Sequence, residues 1–446
     1  NSKAMKRLLL SLAIVAVAAA SCQKDVVYND RPAENNTIEQ KVSPYAVSVD
    51  EALDRLDEEL AAIYGKETRA SQRRVRKIEP IKFSNVVTDT RAYDIDIDNL
   101  LYIVEFEDGQ GSAILGADER VESVLAVLDN GALTAEDFNN AANDVETQQL
   151  KTSLADGIAK DAIRQVTTNN MIIIPDSSGF RVSYFEHVTD YEYSKMPLLT
   201  TCWDRRGYYN DMCLDEDDED CDIPTLALAV AQMFAYNYQD DFWNWGGSVI
   251  DMRLVRLATC YNSSPSQEVK DEVAKYIAKI CAALNINFNA TNIQISDTTL
   301  YNAMSAVLGY SGIQWQTSTA STFENVAMPY IYEQNRPFIM EGSDLENFIK
   351  WHWVVDGIYS HKYSIYDCIY EGGVLVSRTL ASTVTTKKVH CNFGLGGDYN
   401  GYYTFGAFDW STPRSDDEYY PLYGDAEGDA CDTEFDDDVR ALLYSL

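Results

Sequence analysis

Asp222-Ile-Pro-Thr-Leu-Ala-Leu-Ala-Val-Ala-Gln-Met-Phe-Ala-Tyr236 is the stretch that decides how the chain is read. A polar, acidic run precedes it, and after Thr225 come eleven residues with one polar member, Gln232. Pro224 fits a first helical turn, where its missing N–H would be unpaired anyway. Asp222 or Thr225 is placed to cap that turn by accepting a backbone N–H. A helix apolar on nearly every face is a buried one, so this helix is expected to run through a domain core. Its N-terminus carries a positive partial charge, which favours a thiolate or other anion placed there.

Working outward, Val273, Ile277, Ile280 and Leu284 fall on one face of an expected amphipathic helix over 269–284, and 298–308 predicts another. From Phe338 onward, β-rich segments dominate at 338–340, 353–359, 363–370, 389–392 and 402–408. Upstream, Ser48-Val-Asp-Glu51 is a capping box, Leu53, Leu56, Leu60 and Ile63 recur at helical spacing, and Gly65 ends the helix. The apolar runs 101–106, 112–115 and 121–128 follow, the first two separated by the hairpin signature Glu107-Asp-Gly-Gln-Gly111. The expected organisation is a small α+β domain over 45–135 and a connector over 136–180, with a short strand at 171–174. A larger α+β domain over 181–446 then runs helices first and antiparallel sheet after.

The chain has 446 residues, enough for two or three domains, and a net charge of −34. That charge argues against binding nucleic acid or an anionic membrane surface through electrostatics. Met5 opens Lys6-Arg7, an apolar stretch over 8–20, then Ser21-Cys22, the pattern of a signal peptide over 1–22 that is too short to span a bilayer. The small residues before Cys22 resemble a bacterial lipobox, which implies acylation of that Cys and a membrane anchor. Residues 23–44 then read as a polar tether. Such a chain is exported, as an outer-membrane or cell-surface lipoprotein or one facing the periplasm. Export permits disulfides, and close spacing makes a bridge among Cys202, Cys213 and Cys221 one option, although sequence does not fix pairing. The acidic runs 215–220 and 425–438 offer oxygen ligands for Ca²⁺, but neither completes an EF-hand loop, so solvated loops, no metal and no cofactor are expected. The basic segment 69–77 is an exception in this acidic chain and a candidate partner for the 215–220 run.

Pro-Leu-Leu-Thr-Thr-Cys-Trp (197–203), Tyr-Asn (209–210), Ala-Val-Ala-Gln-Met (229–233), Trp-Val-Val-Asp-Gly (353–357) and Asn-Phe-Gly-Leu-Gly-Gly (392–397) together resemble the streptopain family of papain-like cysteine peptidases. Residues 45–135 resemble that family's inhibitory propeptide, notably at Asp108-Gly-Gln-Gly111 and 117–125. The resemblance implies a papain-like cysteine peptidase fold preceded by a propeptide or inhibitor-like domain. It also locates the catalytic positions. The nucleophilic Cys position is Thr225, the base position is Trp351, the oxyanion Gln position is Arg205, and only the orienting Asn is kept, as Asn392.

A papain-like centre needs a thiol, an imidazole, a group orienting that imidazole and an oxyanion donor. Three of those roles are replaced here. Thr225 reads as a cap or core residue, Trp351 as an aromatic plug in the vacated cleft, and Asn392 as a loop-holding residue. Arg205 reads as a partner for the acidic run or a carboxylate-binding fork. Cys221 and His352 are the possible rescue residues. Cys221 sits in acidic surroundings that raise a thiol pKa, and strand alternation turns His352 away from whatever Trp351 faces. His361 and His390 read as ordinary strand or loop residues. The reading is a pseudopeptidase acting in binding or regulation, with a peptide or protein as possible ligand. The alternatives are a cysteine endopeptidase using Cys221 and His352, and inhibition of a related peptidase by the N-terminal domain.

Overall fold

The computed structural model describes residues 45–66, 68, 70–81, 99–138, 146–168, 181–290, 293, 295–319, 321–344, 349–371, 374–408 and 438–446. The expected signal peptide, lipobox, tether, 171–174 strand and 425–437 acidic run lie outside them. All described residues belong to one compact unit, Ser43–Leu446.

Helix α1 (Val49–Tyr64) is capped by the Ser48 hydroxyl, which accepts from the Glu51 N–H, and ends at Gly65 with φ 87°. Strands β1 (Val75–Pro80), β2 (Leu101–Phe106), β3 (Ser112–Gly116) and β4 (Val124–Leu128) follow as an antiparallel meander. Gly111, at φ 87°, lies so near the Leu128 carbonyl that a side chain there would strike it. Helix α2 (Glu146–Thr168) and strand β5 (Arg181–Lys195) lead into the second half.

Helix α3 (Thr225–Asn237) is the stretch that opened the sequence reading, and residues 225–235 are all buried. Its cap differs from expectation. Pro224 itself is the N-cap residue and no side chain caps the turn, because the Asp222 carboxylate is held by the Arg206 guanidinium at 2.6–2.9 Å. Gln232 is the single polar interruption; its Oε1 accepts from the Thr201 hydroxyl at 2.9 Å and from Asn392 Nδ2 at 3.2 Å. A short hairpin, β6 (Phe242–Trp245) and β7 (Ser248–Asp251), then precedes α4 (Met252–Val255), α5 (Gln267–Ala283) and α6 (Asp297–Ala306). Helix α5 buries Val273, Ile277 and Ile280, the face read from its periodicity.

Strands β8 (Ser311–Thr317), β9 (Phe338–Asp344), β10 (Ile349–Glu371), β11 (Val374–Asn392), β12 (Gly401–Thr404) and β13 (Asp438–Ser445) complete the sheet. Among the described residues its order is β1-β2-β3-β4-β12-β11-β10-β9-β13-β8, with β5 also paired to β10. The segments 353–359 and 363–370 are one strand, β10, which pairs first with β9 and then with β5. The β4–β12 pairing, Gly401↔Leu128 to Tyr403↔Ala126, makes the sheet continuous between the N-terminal elements and the later ones.

Two buried charged clusters straddle that seam. Lys388 on β11 is fully buried; its ammonium forms an ion pair with Glu59 of α1 at 2.7 Å and donates to Glu122. Burial raises the pKa of both carboxyls, Glu122 to about 8, and outweighs the lowering pull of Lys388. His390 on β11 pairs through Nδ1 with Asp356 at 2.6 Å and through Nε2 with Asp129 at 3.1 Å. Burial opposes its charge, but the two carboxylates prevail and push its pKa up to about 10. His390 is therefore a buried cation rather than an ordinary strand residue. The basic segment stays local: Arg73 donates to the Leu128 carbonyl and Asp129, Arg76 pairs with Glu105, and Lys77 with Glu79. None of these residues pairs with the 215–220 run, contrary to expectation.

Cysteine pairing also departs from the close-spacing option. The bridge joins Cys202 to Cys260, while Cys213, Cys221 and Cys281 are free thiols.

Candidate active site

Helix α3 begins where Pro224 interrupts the extended chain, so Thr225 stands in its first turn beside N–H groups that lack intrahelical acceptors. Its Oγ1 lies 2.9 Å from His352 Nδ1. Strand β10 carries that imidazole, and the antiparallel register sets His352 opposite Glu341 of β9. Directly opposed residues share a sheet face, and His352 Nε2 meets Glu341 Oε2 at 2.8 Å. On the far side of β9, Arg440 of β13 is in register with Glu341 and donates to its Oε1 through Nε and Nη2 at 3.1 and 2.5 Å. Lys350 Nζ adds a contact at 3.0 Å to the same oxygen.

The charge states follow from these contacts. Burial alone would raise the Glu341 carboxyl, but His352, Lys350 and Arg440 hold it down at about 2, so it is ionised at neutral pH. Burial lowers the His352 pKa below its usual value, outweighing the pull of Glu341, and the imidazole is neutral. An ionised carboxylate accepts only, so the ring proton sits on Nε2 and Nδ1 is left to accept from the Thr225 hydroxyl.

The alternative pairing of Cys221 with His352 is not among the contacts of either residue. Cys221 Sγ lies against the Glu219 and Phe288 carbonyls at 3.7 and 3.9 Å, and burial together with Asp215 raises its pKa. His352 meets Thr225 instead. Of the two possible rescue residues, His352 therefore reaches the head of α3 and Cys221 is engaged elsewhere.

Trp351 is buried, and its Nε1 donates to the Phe393 carbonyl at 3.2 Å. The Arg205 guanidinium lies 5.5 Å from the Trp351 ring centre, while its Nε donates to the Ile223 carbonyl at 2.7 Å. The neighbouring Arg206 makes a bidentate contact with Asp222. Asn392 Nδ2 donates to the Thr201 carbonyl at 2.8 Å and its Oδ1 accepts from the Gly394 N–H, a loop-holding role. Asn392 thus contacts Thr201, Gln232 and Gly394, whereas Glu341 orients His352.

Sequence reading missed Glu341, Lys350, Arg440 and Trp315. The Trp315 ring of β8 sits 6.3 Å from the His352 ring and under the Arg440 guanidinium at 4.8 Å. A charged residue closing the apolar run Phe338-Ile-Met-Glu341 was the available signal. No group of His, Cys, Asp and Glu suited to a metal occurs among the described residues.

Residues 203–403 match the model of the Peptidase C10 family. No curated protein matches the chain. Among solved structures, a fragment of prointerpain A from Prevotella intermedia is 17% identical, covering 77% of this chain and 95% of its own, with a TM-score of 0.47. The active wild-type interpain A cysteine protease of Prevotella intermedia is 16% identical, covering 61% of this chain and 98% of its own, with a TM-score of 0.36.

Proposed function

Residues 203–403 being of the Peptidase C10, or streptopain, type, we propose that the protein is an exported lipoprotein built like a peptidase zymogen but inactive as a cysteine peptidase. It acts by binding or regulation, with a peptide or protein as ligand. The observation that carries this reading is the residue at the head of α3: Thr225, a hydroxyl, touches the imidazole where a thiol would be needed. A hydroxyl is essentially un-ionised near neutral pH, so amide hydrolysis loses the pre-formed anion that a thiol supplies. Trp351, at the position where the resembled family carries its base, supports the reading, because its indole lies under Arg205 and donates to the Phe393 carbonyl and offers no imidazole. The N-terminal elements, joined to the sheet at β4–β12, are in this reading a permanent part of the fold rather than a removable propeptide.

The test is hydrolysis of casein and fluorogenic peptide amides by the full chain, with peptidyl-epoxide labelling followed by peptide mapping. Neither turnover nor labelling of Cys221 is expected, and stoichiometric labelling with matching turnover refutes the proposal. For the anchor, Cys22→Ala should move the protein from the membrane to the soluble fraction; unchanged fractionation refutes it.

A further inference from the structure

We propose that Thr225, His352 and Glu341 form a hydroxyl-centred acyl-transfer site that takes small activated esters rather than peptide amides. The three side chains make an unbroken relay: Thr225 Oγ1 to His352 Nδ1 at 2.9 Å, and His352 Nε2 to Glu341 Oε2 at 2.8 Å. Each step is oriented. Arg440 and Lys350 occupy Glu341 Oε1, so Oε2 is the oxygen left for the imidazole, and that bond fixes the ring and its tautomer. Glu341 is thus a positioning residue, while Thr225 and His352 face the reacting carbonyl.

A second observation points to a ligand. The Trp315 indole, in the ring shell of His352, has its Nε1 buried with no hydrogen-bond partner among the described residues. A buried donor left unpaired costs on the order of 1–3 kcal/mol, and a carbonyl or ester oxygen entering the site would satisfy it. Thr225 and His352 are 8% and 7% exposed, so neither is wholly sealed from solvent and little of either is available to an extended peptide.

The step balances without a further reactant. Thr225 Oγ bonds to the acyl carbon as its proton passes to His352 Nδ1, and the tetrahedral oxyanion is stabilised by the N–H groups of the first turn of α3. The ester C–O bond then breaks, and the proton returns from Nδ1 to the departing alkoxide or phenolate, leaving an acyl ester on Thr225. Water repeats the sequence in reverse, giving its proton to Nδ1 and releasing the acid. An ester suits this site because a phenolate or alkoxide departs more readily than an amine.

The experiment uses the full chain and p-nitrophenyl acetate, following p-nitrophenolate release and mapping the acetylated residue by mass spectrometry. Acetyl on Thr225 is expected, with a rate that rises through an ionisation below the ordinary histidine range. Thr225→Val should abolish the adduct, Thr225→Ser should keep it, and His352→Gln should slow acylation by about 100-fold or more, the usual size of a general-base contribution. Glu341→Gln should shift the pH profile as well as the rate, which a purely structural role would not do. Acetyl confined to lysine or tyrosine side chains of the wild-type protein, or release no faster than in buffer, overturns the proposal whether or not the variants fold.

Discussion

Replacing Thr225 with Cys tests the geometry at the head of α3 most directly. The substitution sets a thiol in a helical first turn and beside the His352 Nδ1 that now lies 2.9 Å from the hydroxyl. An ordinary thiol has a pKa of about 8.5, and thiols at helix N-termini beside a histidine fall to roughly 3.5–7.5. The upper end applies here, because burial disfavours the imidazolium that would pair with the thiolate. A value of about 7 is a drop of about 1.5 units, or about 2 kcal/mol. At pH 6 the thiolate fraction then rises about 30-fold. Lower basicity weakens each thiolate by about fivefold at a Brønsted slope near 0.45, leaving a net gain of about sixfold. The assay is iodoacetamide alkylation at pH 6 in a Cys221→Ser background, read by peptide mapping at position 225. Adding His352→Gln should return the rate to that of an ordinary thiol. Equal rates with and without His352, in folded protein, would refute the reasoning.

The remaining predictions concern the seam between β4 and β12. A side chain at residue 401 would run into the Val127 carbonyl oxygen, so Gly401→Ala should cost about 1–3 kcal/mol of stability and raise the proteolytic susceptibility of residues 45–128; an unchanged melting temperature would contradict this. The buried clusters predict that stability falls with rising pH. The His390 pKa is raised from 6.5 to about 10, so its contribution is complete below pH 6.5 and lost as pH climbs through 10. Glu122, raised from 4.5 to about 8 by burial and by sharing Lys388 with Glu59, loses its contribution between those values. Urea midpoints should therefore decline from pH 5 to pH 10 on account of these groups, and His390→Gln should flatten the upper part of that decline. A profile for that variant parallel to the wild type would refute the assignment.

The local order of the chain was legible in its sequence, and the long-range contacts were not. Helix α3 declared itself by an apolar run with one polar member, α1 by its capping box, and β2–β3 by a Gly-containing turn, because each signal lies within a few residues. The resemblance assigned the family's site positions to Thr225, Trp351, Arg205 and Asn392. Alternation along β10 sets His352 and Trp351 on opposite faces, yet which face meets the head of α3 depends on how the helix lies on the sheet. No sequence period records that. Glu341 and Arg440 were missed for the same reason: they reach His352 through the registers of β9 with β10 and β13, set between segments far apart in the chain. The Cys202–Cys260 bridge likewise depends on where the loops before α3 and after α4 meet. His390 looked ordinary because its partners, Asp129 and Asp356, come from three separate parts of the sheet once its own strand is counted.

The pairing of residue 128 with residue 401 has a consequence for how the protein is made. During synthesis β1 to β4 emerge first and can form their meander early, since their contacts are local. The outer edge of β4 then waits for β12, which appears only after most of the chain has been translated. Until then that edge presents unpaired N–H and C=O groups on a strand whose residues 124–128 are all apolar, the kind of surface that recruits other chains. A defect in β12 would accordingly show first as lost yield through association of incomplete chains, and only afterwards as a lower stability of the molecules that finish.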